Sequence, residues 1–182
     1  MKKDTYIISP DFIKSMSNIS DNTSDKYLLP AIREAQDIDF RNIVGYAMLK
    51  KLKELSQSNA IEESGNKHYK DLLETSKYFL TYATMAHLVM KTSFKIANMG
   101  VVRTSDENVT SASFSDIKSV SDYYRSRADF YKHSLQEYLC YNRQHLPELD
   151  EEMYNHAKAN LRSAATTSIW LGGLRGKKYR KL

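Results

Sequence analysis

Between Asn66 and Gly100 the apolar side chains recur at alternating spacings of three and four. Leu73, Ser76, Leu80, Ala83, His87, Met90, Phe94 and Ala97 form one stripe, and Leu72, Phe79, Ala86 and Val89 widen it. This period fits 3.6 residues per helical turn and not a strand, whose side chains change face at every residue. The stripe predicts a single helix of about thirty residues, capped at Asn66 and closed by Gly100 in the C-cap position. A helix of that length has to bury its stripe against something. A second run, Ile117, Val120, Tyr124, Tyr131, Leu135 and Leu139, begins near Ser115-Asp116, ends before Pro147 and has the same spacing. Two long helices packed side by side make the expected fold class all-α, a helical bundle.

Shorter elements precede this pair. Ser9-Pro10-Asp11 combines a capping hydroxyl, a proline at the first helical position and an acid facing the dipole, which predicts a short helix around 10–16. The polar run 17–24 reads as a loop. Ser24 or Asp25 opens a helix carrying Leu28, Leu29, Ile32 and Ala35, in which Pro30 is tolerable only in the first turns. Gly45 separates the apolar set Ile38, Ile43 and Val44 from a segment running from Tyr46 to about Gln57 with Met48, Leu49, Leu52 and Leu55. The pattern predicts two helices meeting in a tight corner. A last helix is expected over 148–165.

The connection 100–114 is long for a helix–helix turn and mixes β-branched pairs with polar residues. It reads either as a linker or as a projecting hairpin that touches a neighbour through Val101, Val102, Arg103, Val109 and Phe114. The chain then divides into a helical domain, 1–165, and a tail, 166–182.

The 182 residues carry a net charge of +5, and its position matters more than its size. Beyond the last acid, Glu152, lie Lys158, Arg162, Arg175, Lys177, Lys178, Arg180 and Lys181. Without these seven, 20 of the 27 lysines and arginines face 22 acids, so residues 1–152 hold about −2. The body is near neutral and the tail holds the excess. The one cysteine, Cys140, has no partner for a disulfide or a multi-cysteine metal cluster. Charges recur too often for a membrane span, and no apolar core follows Lys2-Lys3 as in a signal peptide. These features predict a soluble protein made in a reducing cytoplasm.

No motif of catalysis is present: no His-Glu-x-x-His, P-loop, nucleophile elbow or dinucleotide turn. Glu152 and His156 have the spacing of two metal ligands, but without a third and fourth ligand the same spacing reads as an ordinary surface ion pair. His87, on the apolar stripe, reads as a core histidine bonded to a neighbour. The expectation is a protein that is not an enzyme and uses no cofactor or metal. Tyrosine is abundant, thirteen in all, with Tyr123, Tyr124, Tyr131, Tyr138 and Tyr141 on the second long helix. Tyrosines in that number either pack a small core with their hydroxyls at its rim or cover a protein–protein surface. In the tail, Gly172, Gly173 and Gly176 punctuate Ile169, Trp170, Leu171 and Leu174, and Arg175, Lys177, Lys178, Tyr179, Arg180 and Lys181 follow. An aromatic anchor with arginines beside it has the composition of an interface hot spot. Its charges alone would instead serve a small nucleic-acid-binding regulator with a basic arm, bound nonspecifically to phosphates.

The run Ile7-Ile8-Ser9-Pro10-Asp11-Phe12-Ile13-Lys14 resembles head–tail connector proteins of tailed phages, most nearly virion proteins of crAss-like and related gut phages. So do Ile19-Ser20-Asp21-Asn22, the stretch from Asp25 to Gln36, Ile43-Val44-Gly45 with Leu49, and Gly100-Val101-Val102 followed by Ser115-Asp116-Ile117. The resemblance implies a structural protein of the virion neck, assembled in the host cytoplasm and working without a membrane. Its copies would form a ring under the portal protein, dodecameric to match it, touching other neck and tail proteins. Double-stranded DNA would pass through the channel without sequence-specific contacts. The tail from Ile169 lies where related connectors place a portal-reaching segment.

Overall fold

The computed structural model describes residues 5–97, 100–103 and 112–167, with the backbone alone for 95–97, 100–103 and 163–167. The architecture is an all-α bundle with one short hairpin attached. Helix α1, Pro10–Met16, starts where Ser9 Oγ accepts the Phe12 N–H. Helix α2, Asp25–Glu34, starts where Ser24 Oγ accepts the Lys26 N–H. Pro30 sits inside α2 and leaves the Lys26 carbonyl without its helical donor.

The chain does not stop there. A π-helical segment, Ala35–Phe40, leads directly into α3, Arg41–Val44. The wider π turn shifts the angular register, so Ala35, Gln36 and Phe40 turn inward. Ile38, expected among the apolar set, is instead 52% exposed. Gln36 is buried and its amide is used on both sides. Oε1 accepts the Ile7 N–H at 2.9 Å, and Nε2 donates to the Thr5 carbonyl at 3.3 Å. This fastens the N-terminal stretch, where Ile7 and Ile8 are buried, to the bundle.

Helix α4, Tyr46–Gln57, buries Met48, Leu49, Leu52 and Leu55 as its spacing predicts. Two short 3-10 turns, Ala60–Glu62 and Ser64–Asn66, lead into helix α5, Lys67–Ser93. Asn66 does stand at the N-cap, but its side chain donates to the Ala60 carbonyl at 2.8 Å and not to the helix. Helix α5 ends at Ser93, before the predicted Gly100. Thr92 Oγ1 donates to the Leu88 carbonyl and Ser93 Oγ to that of Val89, back-bonds of the kind that weaken a helix slightly. Phe94 then turns extended. Strand β1, Phe94–Ala97, pairs antiparallel with β2, Gly100–Arg103, so Gly100 opens a strand and does not cap a helix. The connection is therefore a hairpin at its start; residues 104–111 lie outside the described part.

Helix α6, Phe114–Tyr141, opens on a capping box in which the Asp116 N–H donates to Ser113 Oγ and the Ser113 N–H to Asp116 Oδ2, each at 3.1 Å. It packs along α5, and this pairing is the main contact of the fold. Small residues line the seam. Ala83, Ala86, Ser121 and Ala128 are all buried, and Ser121 Oγ donates across to the Ala86 carbonyl at 3.2 Å. Leu72, Phe79, Leu80, Leu135 and Leu139 fill the space on either side. Helix α7, Glu151–Thr167, starts slightly later than expected and packs on α6 and α3.

Gly45 turns the corner between α3 and α4 at φ 84° and ψ 169°, a conformation nearly confined to glycine. A Cβ there would also lie 2.8 Å from Asp150 Oδ2 and 3.3 Å from Met153 Cγ, at the entry to α7. Gly45→Ala is expected to cost about 2–4 kcal/mol in urea unfolding, from backbone strain plus the clash. Gly65→Ala, with nothing within 4 Å of the new methyl, serves as the near-neutral control.

Candidate partner interface

Successive residues of α6 turn by about 100°, so its two flanks beside the α5 seam carry different residues. One flank carries Tyr124, Tyr131 and Tyr138, seven residues apart. Tyr131 lies over both Tyr82, with ring centroids 5.4 Å apart, and Tyr78, at 5.3 Å. Phe130 meets its edge at 5.3 Å and 90°. Tyr82 and Tyr124 approach to 6.4 Å, and Tyr123 stands T-shaped against Tyr124 at 5.4 Å. The six rings make one continuous aromatic face across α5 and α6.

Its inner members are tied down. Tyr124 Oη donates to Asn18 Oδ1 at 2.9 Å, and burial raises its hydroxyl pKa against that bond's pull. Farther along the same flank, outside the six rings, Tyr138 Oη donates to the His68 carbonyl at 2.8 Å, and burial, with the charge of Asp71, pushes its pKa up to about 12. The outer members face solvent: Tyr78 is 42% exposed, Tyr123 53% and Phe130 66%. Tyr141, on the same outward line of α6, is 86% exposed. Arg127 lies over the Tyr123 ring at 5.3 Å, so the ridge carries an arginine as well as aromatics. A shallow hollow beside it is lined by Met16, Asn18, Tyr82, Tyr123 and Tyr124. Rings held on one side by stacking and bare on the other are pre-ordered for a partner, because little rotamer freedom remains to be lost on binding.

The tyrosines of this helix divide between packing and exposure. Tyr124, Tyr131 and Tyr138 pack against the bundle; Tyr123 and Tyr141 stand out from it. The contribution of α5, Tyr78 and Tyr82, and that of Phe130 were not singled out from sequence. Tyr78 and Tyr82 are four apart and Phe130 is seven beyond Tyr123, so the signal was an aromatic spacing on a second face of each helix.

The other singled-out residues fall elsewhere. His87 is largely buried, with Nε2 2.7 Å from Asp39 Oδ2 and Nδ1 3.3 Å from Glu34 Oε2. Lys91 Nζ closes the row on Glu34 at 2.6 Å. Both ring nitrogens thus face carboxylates, and the histidine ties the π segment to α5. Glu152 and His156 form an exposed pair at 3.9 Å, the ordinary surface arrangement. Cys140 is half-buried, and burial raises its thiol pKa. Among the described residues no three His, Cys, Asp or Glu side chains gather in a way that could hold a metal ion. No helix there is long and apolar enough to cross a membrane.

Of the predicted loop contacts, Val101, Val102 and Arg103 lie on β2 and Phe114 begins α6, 54% exposed, with its ring 6.1 Å from Phe94. Val109 lies outside the described residues, as do Ile169, Trp170, Leu171, Leu174, Arg175, Lys177, Lys178, Tyr179, Arg180 and Lys181 of the tail.

The model of DUF6712, a family of unknown function, matches residues 40–158, from the end of the π segment into α7 and so across the whole α5–α6 pair. No curated protein and no solved structure matches the chain.

The raised pKa of Tyr138 sets a pH dependence. Its protonated form stabilises the fold, so this contribution is complete below the unfolded tyrosine value of about 10 and is lost as pH rises through the folded value of about 12. Tyr138→Phe should cost about 1 kcal/mol at neutral pH through the lost bond to His68 and should flatten the alkaline fall in stability. Urea unfolding of both proteins at neutral and alkaline pH measures this, and an unchanged alkaline slope in the variant would refute the assignment.

Proposed function

We propose that the chain, which belongs to the DUF6712 family, is a structural ring subunit of a phage neck, a head–tail connector that docks on the portal and extends the DNA channel toward the tail. The observation that supports subunit-to-subunit contact in this reading is the aromatic ridge of Tyr78, Tyr123 and Phe130 with Arg127, the residue types that dominate protein–protein contacts. Its natural occupant is the next copy around a ring. A head-to-tail contact of this kind joins two different faces of identical subunits and closes when the rotation allows. The near-neutral body suits such neighbours, since like charge would oppose close packing.

The connector identity itself rests on the resemblance of the N-terminal half and the Gly100–Ile117 region to virion connectors. In that setting Trp170, Leu171, Leu174 and the basic run to Lys181 anchor the subunit to the portal. The hairpin, Phe94–Arg103, reaches a neighbour or the next ring. The excess positive charge of the tail also suits a surface that DNA passes.

Two variants test the two contacts separately. Tyr123→Ala with Phe130→Ala should cost about 0.5–1.5 kcal/mol per substitution through the lost ring contacts and leave the domain folded, yet abolish ring formation on portal particles. Deletion of residues 168–182 should leave a folded helical domain that no longer joins the portal. Normal incorporation of the truncated chain into particles would overturn the tail assignment. Tight, strongly salt-dependent DNA binding by the isolated monomer would favour a nucleic-acid-binding regulator instead.

A further inference from the structure

A cavity of about 200 Å³ opens on the flank of α6 opposite the tyrosines, floored by Ile43, Phe79, Ala83 and Ala128 and rimmed by Arg125, Asp129 and Lys132. It is smaller than the roughly 300–1,000 Å³ of small-molecule sites and of a size for one large side chain. The floor is apolar, and the rim offers two cations able to lie on an aromatic face and a carboxylate able to accept an N–H.

The path of α7 shows which side chain can arrive there. Helix α7 lies on this same flank and runs antiparallel to α6. Arg143 stands over the Tyr154 ring at 5.8 Å, and the charge of Lys158 acts on Cys140. Each turn forward along α7 is thus matched by a turn back along α6. At this register Arg162 comes level with Gln136 and Thr166 with Lys132, a residue of the cavity rim. The inward face of α7 points the same way, through Met153 and Tyr154, the buried Ala157 and then Leu161. The described helix ends at Thr167, three residues before the chain's only tryptophan, and it packs on α6 and α3, the helices that supply Ala128 and Ile43 to the cavity floor.

We infer that this cavity is the binding site for Trp170 of the same chain, which seats its indole against Phe79, Ala83 and Ala128 before assembly. The glycines Gly172 and Gly173 follow at once and allow the basic run to turn away from the rim. The tail then has two positions: seated on its own body in the free subunit, and released to a partner in the assembly. The seat stands or falls independently of the connector reading, because it belongs to the isolated monomer.

Trp170 is its own probe. In dilute full-length protein its emission should be blue-shifted from that of the urea-unfolded chain, with acrylamide quenching several-fold weaker. Asp129→Phe and Lys132→Phe, each laying a ring over the cavity from its rim and away from the helix seam, should move emission and quenching toward the unfolded values with unchanged helical circular dichroism. In a Cys140→Ser background, Asp129→Cys with Ile169→Cys should close a disulfide within the monomer, which tests the seat even where the rim phenylalanines disturb folding. The inference is overturned by native emission equal to that of the unfolded chain, or by shielding that appears only as protein concentration rises, which would put the tail on a second copy. It is also overturned by shielding unchanged in both folded variants, or by the absence of the monomeric disulfide.

Discussion

The close approach of α5 and α6 is the contact on which the rest of the molecule depends. Alanines and a serine at the seam let the two backbones come near enough for Ser121 Oγ to reach the Ala86 carbonyl at 3.2 Å. The leucines to either side then interlock where larger side chains at the seam would hold the helices apart. This pairing fixes the rotation of α6 about its own axis, and that rotation decides what each flank presents. On one side it brings Tyr124 and Tyr131 onto Tyr82 and Tyr78. On the other it leaves Ala128 beside a cavity and a track for α7.

Much of this was legible in the amino-acid order because it follows from periodicity and caps. The stripe from Leu73 to Ala86, the Ser9 and Ser24 caps, the corner at Gly45 and the burial of Leu135 and Leu139 are each set by local spacing. What escaped was set by tertiary context. Ile38 carries the right chemistry for the core, but a π turn rotates it outward while Gln36, a polar residue, goes in. The Ile7 N–H, the Thr5 carbonyl and Asp37 Oδ1, all bonded to its amide, make that burial favourable. Phe94 and Ala97 continue the helical stripe in sequence, yet the helix stops at Ser93 and the backbone pairs with Gly100–Arg103. The candidate interface was half visible: α6 advertised its tyrosines, but their stacking partners lay on α5, and no spacing within one helix reveals a contact between two.

The two flanks suit two kinds of contact. An aromatic ridge whose inner rings are hydrogen-bonded presents a rigid surface, suited to a permanent neighbour. An apolar hollow with a charged rim suits a single inserted side chain, which can enter and leave at lower cost than a whole face. A connector has to meet copies of itself on one side and a different protein above or below. In the proposed connector role the ridge would serve the first contact and the tail the second.

Electron microscopy of tailed particles whose genome encodes this chain tests the central claim most directly. The account predicts copies of the α5–α6 pair arranged as a closed ring about the DNA channel beneath the portal, with the Tyr123–Phe130 ridge against the adjacent copy. Particles complete in their neck but lacking this chain, or a ring in which that ridge faces open solvent, would contradict it.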